Sequence, residues 1–494
     1  MNFYNGLASA PPLLTLDRAG GNRWTAYNWE NNASNAGSDY LYESDAFLSA
    51  SSTPAEPVRA AIAANRASGV ASLITVQMQG WVSADENGPV VTANAPDTTR
   101  FKPLVFKKST QASAAFTTTP STTDNAVYMD EFAWALDQKF SGQGIFSAGA
   151  ATPTFVQLDN EPELWSSTHL EIQGSKPISS DAYIAKTISL TKALKDQFPG
   201  MTIVGPAHYG FNGLYSWQSE FGATPSGADW FADKYMKAIK TASTSYGKPL
   251  VDVYDFHWYS EATDPGGTRV TALTGTTLSD AQVQAIAQSP RSLWDTSYSE
   301  SSWVKNVMGG PIALLPRLQA KIAAANPGMK LGITEYNNGG CQHIAGALAQ
   351  TDNLGTFGAQ GVYAATYWPL NSSEPYCMAA FRAFRGFDGA SATFGDVAVN
   401  ATSSDVQSVA AYASTDSAHT GRTVFVAINR STTARQTLFT GMTVAGTAHL
   451  YRISASSAGG QGQVAPVAAG TQAVTGSSFS VLLPALSVTT IDID

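Results

Sequence analysis

Two glutamates stand where short apolar runs stop. Phe155, Val156 and Leu158 form the first run, which ends in Asp159-Asn160-Glu161-Pro162. Pro162 cannot donate to a sheet ladder, so a strand must end there and leave three polar groups at its C-terminal end. Leu331-Gly332-Ile333-Thr334 forms the second run, followed by Glu335-Tyr336-Asn337-Asn338-Gly339. Cleavage of a glycosidic bond needs two such carboxylates flanking one bond. One protonates the leaving oxygen and the other attacks or activates water. Either peptide alone reads equally well as a strand end with turn-forming Asp and Asn. Two glutamates at equivalent strand ends favour the catalytic reading.

Those strand ends need a parallel sheet to bring them together. Apolar or β-rich runs at Arg23–Trp29, Ala71–Met78, Thr154–Leu158, Thr202–Gly205, Val251–His257, Lys330–Thr334 and Val362–Trp368 predict seven strands. Helical patterns lie between them. Tyr183, Thr187, Leu190, Leu194 and Phe198 recur at three- and four-residue spacing after a Ser180 cap and before Pro199-Gly200. Phe231, Tyr235 and Ile239 mark a second helix; Leu318 and Ile322, with Pro316 near the first turn, mark a third. Alternation of this kind predicts a parallel sheet with helical crossovers, whose active site is built at the C-terminal strand ends. Glu161 ends the third of these strands and Glu335 the sixth, a separation of three. An eight-stranded barrel needs one more strand, and one preceding Glu161 would make the pair fourth and seventh. The Thr-rich segment 80–123 is long and irregular, as functional loops often are.

After about Phe387 the chain changes character. No Trp follows Trp368, and short alternating runs such as Thr423–Ile428 and Ser487–Ile491 are separated by Gly and Ser clusters. This predicts a β-sandwich. The expected division is a barrel over residues 18–385 and a sandwich over 386–494, with residues 1–17 contributing to the sandwich.

Of the 494 residues only 14% are charged, and the net charge is −9 with no basic run. That argues against nucleic acid or an anionic membrane surface as partner. No stretch approaches the ~20 apolar residues of a membrane helix. A surface rich in uncharged polar residues suggests an extracellular enzyme. Met1 to Gly6 lack the features of a signal peptide, so export implies that such a segment has been removed. Cys341 and Cys377 are the only cysteines; they could bridge or remain two thiols, and their spacing is not that of a metal site.

The sequence resembles glycoside hydrolase family 44 endoglucanases. The resemblance is carried by Gly21-Asn22-Arg23, by Trp29 through Tyr40 with its Asn-rich core, and by Leu158-Asp159-Asn160-Glu161-Pro162. Asp252 through Tyr259 and Gly332 through Asn337 complete it. The family implies an α/β fold: a (β/α)8 TIM-like barrel with a C-terminal antiparallel β-sandwich. It implies retaining, endo-acting cleavage of β-1,4-glucan, with xyloglucan or xylan as alternative substrates and no cofactor for catalysis. A monomer is expected. The reading from a different class is a non-catalytic glycan-binding protein.

Carried over residue by residue, Glu161 resembles the acid/base and Glu335 the nucleophile. Asn160 resembles the residue that binds the sugar 2-hydroxyl, a contact that strengthens in the transition state. His257 and Tyr259 share a strand face with Asp255 and would orient the nucleophile. The alternative is a satisfied core histidine. Sugar rings stack on aromatic faces. Trp368, at the end of the last predicted strand, matches the platform of related barrels; Trp303, Trp258 and Trp29 are further candidates, whereas Trp134 and Trp230 lie in helical patterns and suit a core. The family can also hold a structural calcium, for which Glu43, Asp45 and Asp130 are candidate ligands. Their alternative is solvated surface acids.

Overall fold

The computed structural model describes residues 1–2, 14–147, 149–441, 445–455 and 464–494. Its centre is a seven-stranded parallel sheet, nearly closed into a barrel. The strands are β1 (Leu16–Ala19), β2 (Ala71–Val76), β3 (Thr154–Leu158), β4 (Ile203–Val204), β5 (Val253–Tyr259), β6 (Lys330–Asn337) and β7 (Ala364–Ala365), in that order around the sheet. Every neighbouring pair is parallel. Helices cross between consecutive strands: α1 (Glu56–Ala67), α2 (Met129–Gln138), α3 (Ser180–Gln197), α4 (Phe231–Tyr246), α5 (Leu314–Ala325) and α6 (Ile344–Ala359). Strands β2 to β6 are almost wholly buried on both faces, which is why they read as apolar runs.

The seam between β7 and β1 is bridged by the first two residues. The Arg18 amide donates to the Met1 carbonyl at 2.7 Å, and the Asn2 amide donates to the Tyr367 carbonyl at 3.2 Å. Asn2 forms a parallel bridge with Arg18. Residues 3–13, including Leu13, lie outside the described residues. The described part of the first 17 residues therefore joins the barrel and not the sandwich, contrary to expectation. Asp17 and Arg18 interrupt the apolar run, and that hid β1 from a hydrophobicity reading. The predicted Arg23–Trp29 strand is instead a 3-10 turn at Asn22–Ala26, held over the top of the barrel. The α3 cap is Ser179, whose hydroxyl accepts from the Ala182 amide, one residue before the predicted one. Segment 80–123 is not wholly irregular: Trp81–Ser83 pairs with Phe101–Val105.

Beyond α7 (Pro375–Phe384) the chain forms β8 (Val397–Val399), β9 (Val409–Thr415), β10 (Thr423–Asn429), β11 (Arg435–Thr440), β12 (Gly446–Ile453), β13 (Val467–Val474), β14 (Ser478–Leu483) and β15 (Ser487–Ile493). An antiparallel sheet runs β8-β9-β10-β15-β12-β13, and β11 pairs with β14. Phe425, Phe439 and Phe479 fill the space between the two sheets. The opposite face of the larger sheet packs on α6 and α7, through Leu348, Ala379, Val426 and Val488. Gly355 lets Tyr412 approach α6, since a Cβ there would meet the tyrosine ring. A fully buried ion pair joins Asp352 of α6 to Arg430, and the Tyr412 hydroxyl also donates to Asp352 at 2.6 Å. Cys341 and Cys377 are bridged, tying the loop after β6 to α7.

Candidate active site

The turn after β3 is strained. Asp159 and Glu161 have φ of 56° and 43°, a left-handed region that costs non-glycine residues of order 1 kcal/mol or more. Buried bonds impose it. The Asp159 carboxylate accepts from the Thr25 hydroxyl and from the amides of Met78, Gln79 and Asn160. The Trp165 indole N–H donates to the Asn160 carbonyl at 3.1 Å, and the Glu161 amide donates to Ala207. The net effect is to turn the Glu161 side chain over the barrel mouth.

Glu335 is 5% exposed. One carboxylate oxygen accepts from Arg18 Nη1 at 2.7 Å, and the other accepts from the Tyr259 hydroxyl at 2.7 Å. The register of β5 against β6 shifts between Phe256 and His257, which sets His257 opposite Glu335. His257 Nδ1 then lies 2.8 Å from Glu161 Oε1 and 3.5 Å from Glu335 Oε2. Among the described residues, Glu161, His257 and Glu335 form the single group of three such side chains whose polar atoms lie within 4.8 Å of one another.

Burial, and then the neighbouring Glu163 carboxylate, push Glu161 up from 4.5 to about 8, against the pull of Arg18. Burial also holds His257 down at about 4, so at neutral pH its ring is uncharged and does not draw off the Glu161 proton. Glu163 itself is buried against His208 Nδ1. Gly213 makes room for that pair, since a Cβ there would strike the Glu163 carboxylate.

The predicted residues Asn160, Glu161, His257, Tyr259 and Glu335 thus converge. Asn160 Oδ1 accepts from Arg18 Nη2 at 2.9 Å, which leaves its NH2 as the donor end. Asp255 does not share the site with His257 and Tyr259. It is fully buried one layer down and accepts from Gln157, Thr334 and the Ala207 amide. Trp368 is half-buried, with its indole against Gly21, whose φ of 111° and missing Cβ permit the contact. Trp303 is 39% exposed and lines a cavity of about 350 Å³ together with Glu161, Tyr209, Phe211, Trp258 and Tyr259. Trp29 is a correction: it is fully buried and stacks on Phe132 at 5.6 Å, so it is core.

The candidate calcium ligands are also a correction. Asp45 is paired with Arg23, and Asp130 is buried, accepting from the amides of Lys108 and Glu131. Among the described residues, Glu43, Asp45 and Asp130 do not form a group whose ligand atoms converge closely enough to hold one ion.

Arg18 was missed from sequence. It is fully buried, lies over Gly20, and its guanidinium donates to Gln157, Asn2, Glu335 and Asn160. The available signal was a lone Arg between an apolar run and Gly20-Gly21 in a stretch assigned to no element.

A parallel barrel carrying two close glutamates at its C-terminal mouth, one pushed up by burial and one paired with arginine, has the constellation of a glycoside hydrolase. The model of glycoside hydrolase family 44 matches residues 33–262, a span that includes Glu161 and stops short of Glu335. The chain is similar over nearly its whole length to solved structures. The family 44 endoglucanase Cel44A of Clostridium thermocellum aligns at TM-score 0.90 and 34% identity, over 99% of this chain and 96% of that one. The Paenibacillus polymyxa family 44 xyloglucanase aligns at TM-score 0.90 and 33% identity, over 100% and 95%. Endoglucanase A of Paenibacillus lautus is 39% identical over 84% of this chain, which spans 59% of that protein. The chain belongs to glycoside hydrolase family 44. Among the described residues no helix is long and apolar enough to cross a membrane.

Proposed function

We propose that this protein is an endo-acting β-1,4-glucanase that hydrolyses with retention by double displacement. The observation that carries the reading is the spacing of Glu161 and Glu335, whose nearest carboxylate oxygens lie within 4.8 Å. Retaining enzymes keep this gap near 5–5.5 Å, whereas inverting enzymes need about 6.5–9.5 Å to admit a water. Glu161, protonated at neutral pH, gives its proton to the leaving oxygen. Glu335 attacks the anomeric carbon and forms an ester; Arg18 and Tyr259 hold its two oxygens in line. Glu161, now ionised, takes a proton from water, and the water displaces Glu335. The NH2 of Asn160 is the donor for the sugar 2-hydroxyl. The aromatic cavity touches Glu161 and is not lined by Glu335, so it suits the leaving-group side of the chain, with Trp303 as a stacking face.

Met1–Asn2 serves as the eighth stave of a (β/α)8 barrel, which makes Glu161 and Glu335 follow its fourth and seventh strands. The barrel gives way to the sandwich near residue 385, and the sandwich braces the barrel. The similarity to endoglucanases and to a xyloglucanase supports glucan and xyloglucan as substrates, with xylan as the further candidate. We place the enzyme outside the cell, acting as a monomer. The test is release of reducing ends from carboxymethylcellulose, xyloglucan and xylan by wild type and Glu335→Ala. The reading expects activity in the first and loss by several orders of magnitude in the second. Proton NMR of the first product should show the β-anomer; an α-anomer would refute retention.

A further inference from the structure

We propose that the bottom of the barrel carries a separate polysaccharide site, which binds the carboxylates of a uronic-acid chain and does not cleave it. The site is a cavity of about 450 Å³ at the N-terminal ends of β4, β5 and β6, remote from Glu161 and Glu335 at the other ends of the strands. Lys240, Lys248 and Lys330 line it, and among its described lining residues Asp252 alone is acidic. Asp252 is already bonded to Lys195 Nζ at 2.9 Å and to the Ile203 amide. Lys234 of α4 and Lys321 of α5 pair with Asp181 and Asp233. Among the described residues, Lys240, Lys248 and Lys330 have no such carboxylate partner; Lys330 Nζ rests 3.8 Å above the Tyr363 ring. Three cations therefore face one cavity in a chain whose net charge is −9. The sequence has no basic run, and the fold assembles this patch from separate segments.

The helices do not account for these lysines. Cations favour the last turn of a helix, beside the negative end of its dipole. Neither α4 nor α5 has a basic residue in its last turn, and Lys240 lies more than a turn before the end of α4 at Tyr246. The turns at Gly247 and Gly328 keep the cavity open, since a Cβ at either would meet nothing within 4 Å. The walls also offer sugar partners. Ser243 Oγ accepts from the Leu250 amide at 3.0 Å and keeps its own proton to donate; the Thr244 hydroxyl donates to the Lys240 carbonyl and keeps lone pairs to accept. Lys237 stands one turn above Lys240 on α4, so Lys237, Lys240 and Lys248 follow the helix over roughly 15 Å. A chain with carboxylates at intervals can meet several of them at once. Phosphate and nucleic-acid sites favour arginine forks or helix N-termini. None of the described lining residues is an arginine, and the cavity lies beside the C-terminal ends of α4 and α5. With one carboxylate, already paired, it lacks the two that glycosidic cleavage needs.

The experiment measures binding of the whole protein to immobilised polygalacturonate at low salt. The comparison ligands are the same polymer with its carboxylates methyl-esterified, inorganic phosphate and single-stranded DNA. Binding to the acid form should saturate and should exceed binding to the ester about tenfold or more. Lys240→Gln, Lys248→Gln and Lys330→Gln together should weaken it by about the same factor. Raising the salt to about 0.15 M should also weaken it, because exposed charges are then screened beyond about 8 Å. A charge-matched variant with Arg66→Gln, Lys176→Gln and Arg435→Gln, none of which lines the cavity, should bind within about twofold of wild type. Thermal melts establish that each variant is folded. Failure of wild type to bind saturably would overturn the inference. Equal losses in the two variants would reduce the effect to net charge and overturn it as well. Undiminished binding in the lysine variant would put the polyanion elsewhere. Tighter binding of phosphate or DNA, lost in the lysine variant, would overturn the assignment to a uronate chain. Binding is read directly, so each of these results leaves the hydrolase reading to its own test.

Discussion

Glu161→Gln should inactivate the enzyme and, at alkaline pH, make it more stable. Burial and Glu163 carry Glu161 from 4.5 to about 8. Between those values the folded chain holds a proton that the unfolded chain has released. Stability therefore falls as pH rises through this window, and the loss is complete above about pH 8. At 1.36 kcal/mol per pH unit the full cost is about 5 kcal/mol. The Glu161 side chain is 20% exposed, and solvent screening reduces the figure to roughly 2–3 kcal/mol. Gln has no proton to lose, keeps the shape, and can still meet His257. The melting temperatures of the two proteins should nearly coincide at pH 4.5 and separate by a few degrees at pH 8.5, with Gln higher. Other titrating groups, such as Glu30 and Glu300, each held near 7 by burial, are common to both proteins and cancel. A gap that does not change with pH would refute the claim that burial keeps Glu161 protonated.

Glu163→Gln removes the carboxylate that helps hold the Glu161 proton, so the basic limb of the kcat/KM profile should move down by on the order of one pH unit; an unmoved limb would exclude Glu163 from that role. Arg18→Met leaves Glu335 nearly buried without its cation, a change worth about 3–5 kcal/mol of stability and at least ~10²-fold in kcat/KM; calorimetry and steady-state rates check both, and a near-wild-type rate would contradict the assigned bond. Asp352→Ala strands the buried Arg430 and should cost a similar ~3–5 kcal/mol while kcat/KM at 25 °C stays within about twofold, because the pair lies behind the barrel. EDTA should leave the melting temperature unchanged, since Glu43, Asp45 and Asp130 do not converge on one point; a fall of several degrees would reveal an ion site built from other ligands.

What could be read from sequence follows from where the polar residues fall. β3 and β6 each present an apolar run ending in Glu, so hydrophobicity found the strands and the glutamates together. β1 carries Asp17 and Arg18 within four residues, and a charge inside a barrel looks like a surface loop when only apolarity is counted. The turn at Asn22–Ala26 has aromatic neighbours that serve the core from irregular backbone, and so it imitated a strand. Trp29 shows the limit of reading aromatic residues by type: nothing local separates an indole stacked on Phe132 from one facing solvent at position 303. The Arg18 contacts join residues 2, 18, 157, 160 and 335, separations that no local pattern reports.

Closure of the barrel and alignment of the nucleophile depend on the same bonds. Arg18 Nη1 is shared between Asn2 and Glu335, each at 2.7 Å. The Asn2 side-chain amide donates to the Tyr367 carbonyl at 3.0 Å. A displacement at the seam would therefore reach Glu335 through a single guanidinium, which also sets the orientation of Asn160. The acid/base is organised differently. Its strand end stores backbone strain, offset by four hydrogen bonds to the Asp159 carboxylate. Strain aims Glu161, and an ion pair at the seam aims Glu335. Substitutions around Asp159 should therefore disturb the proton donor first, whereas substitutions along the seam should disturb the nucleophile and its neighbour Asn160 together.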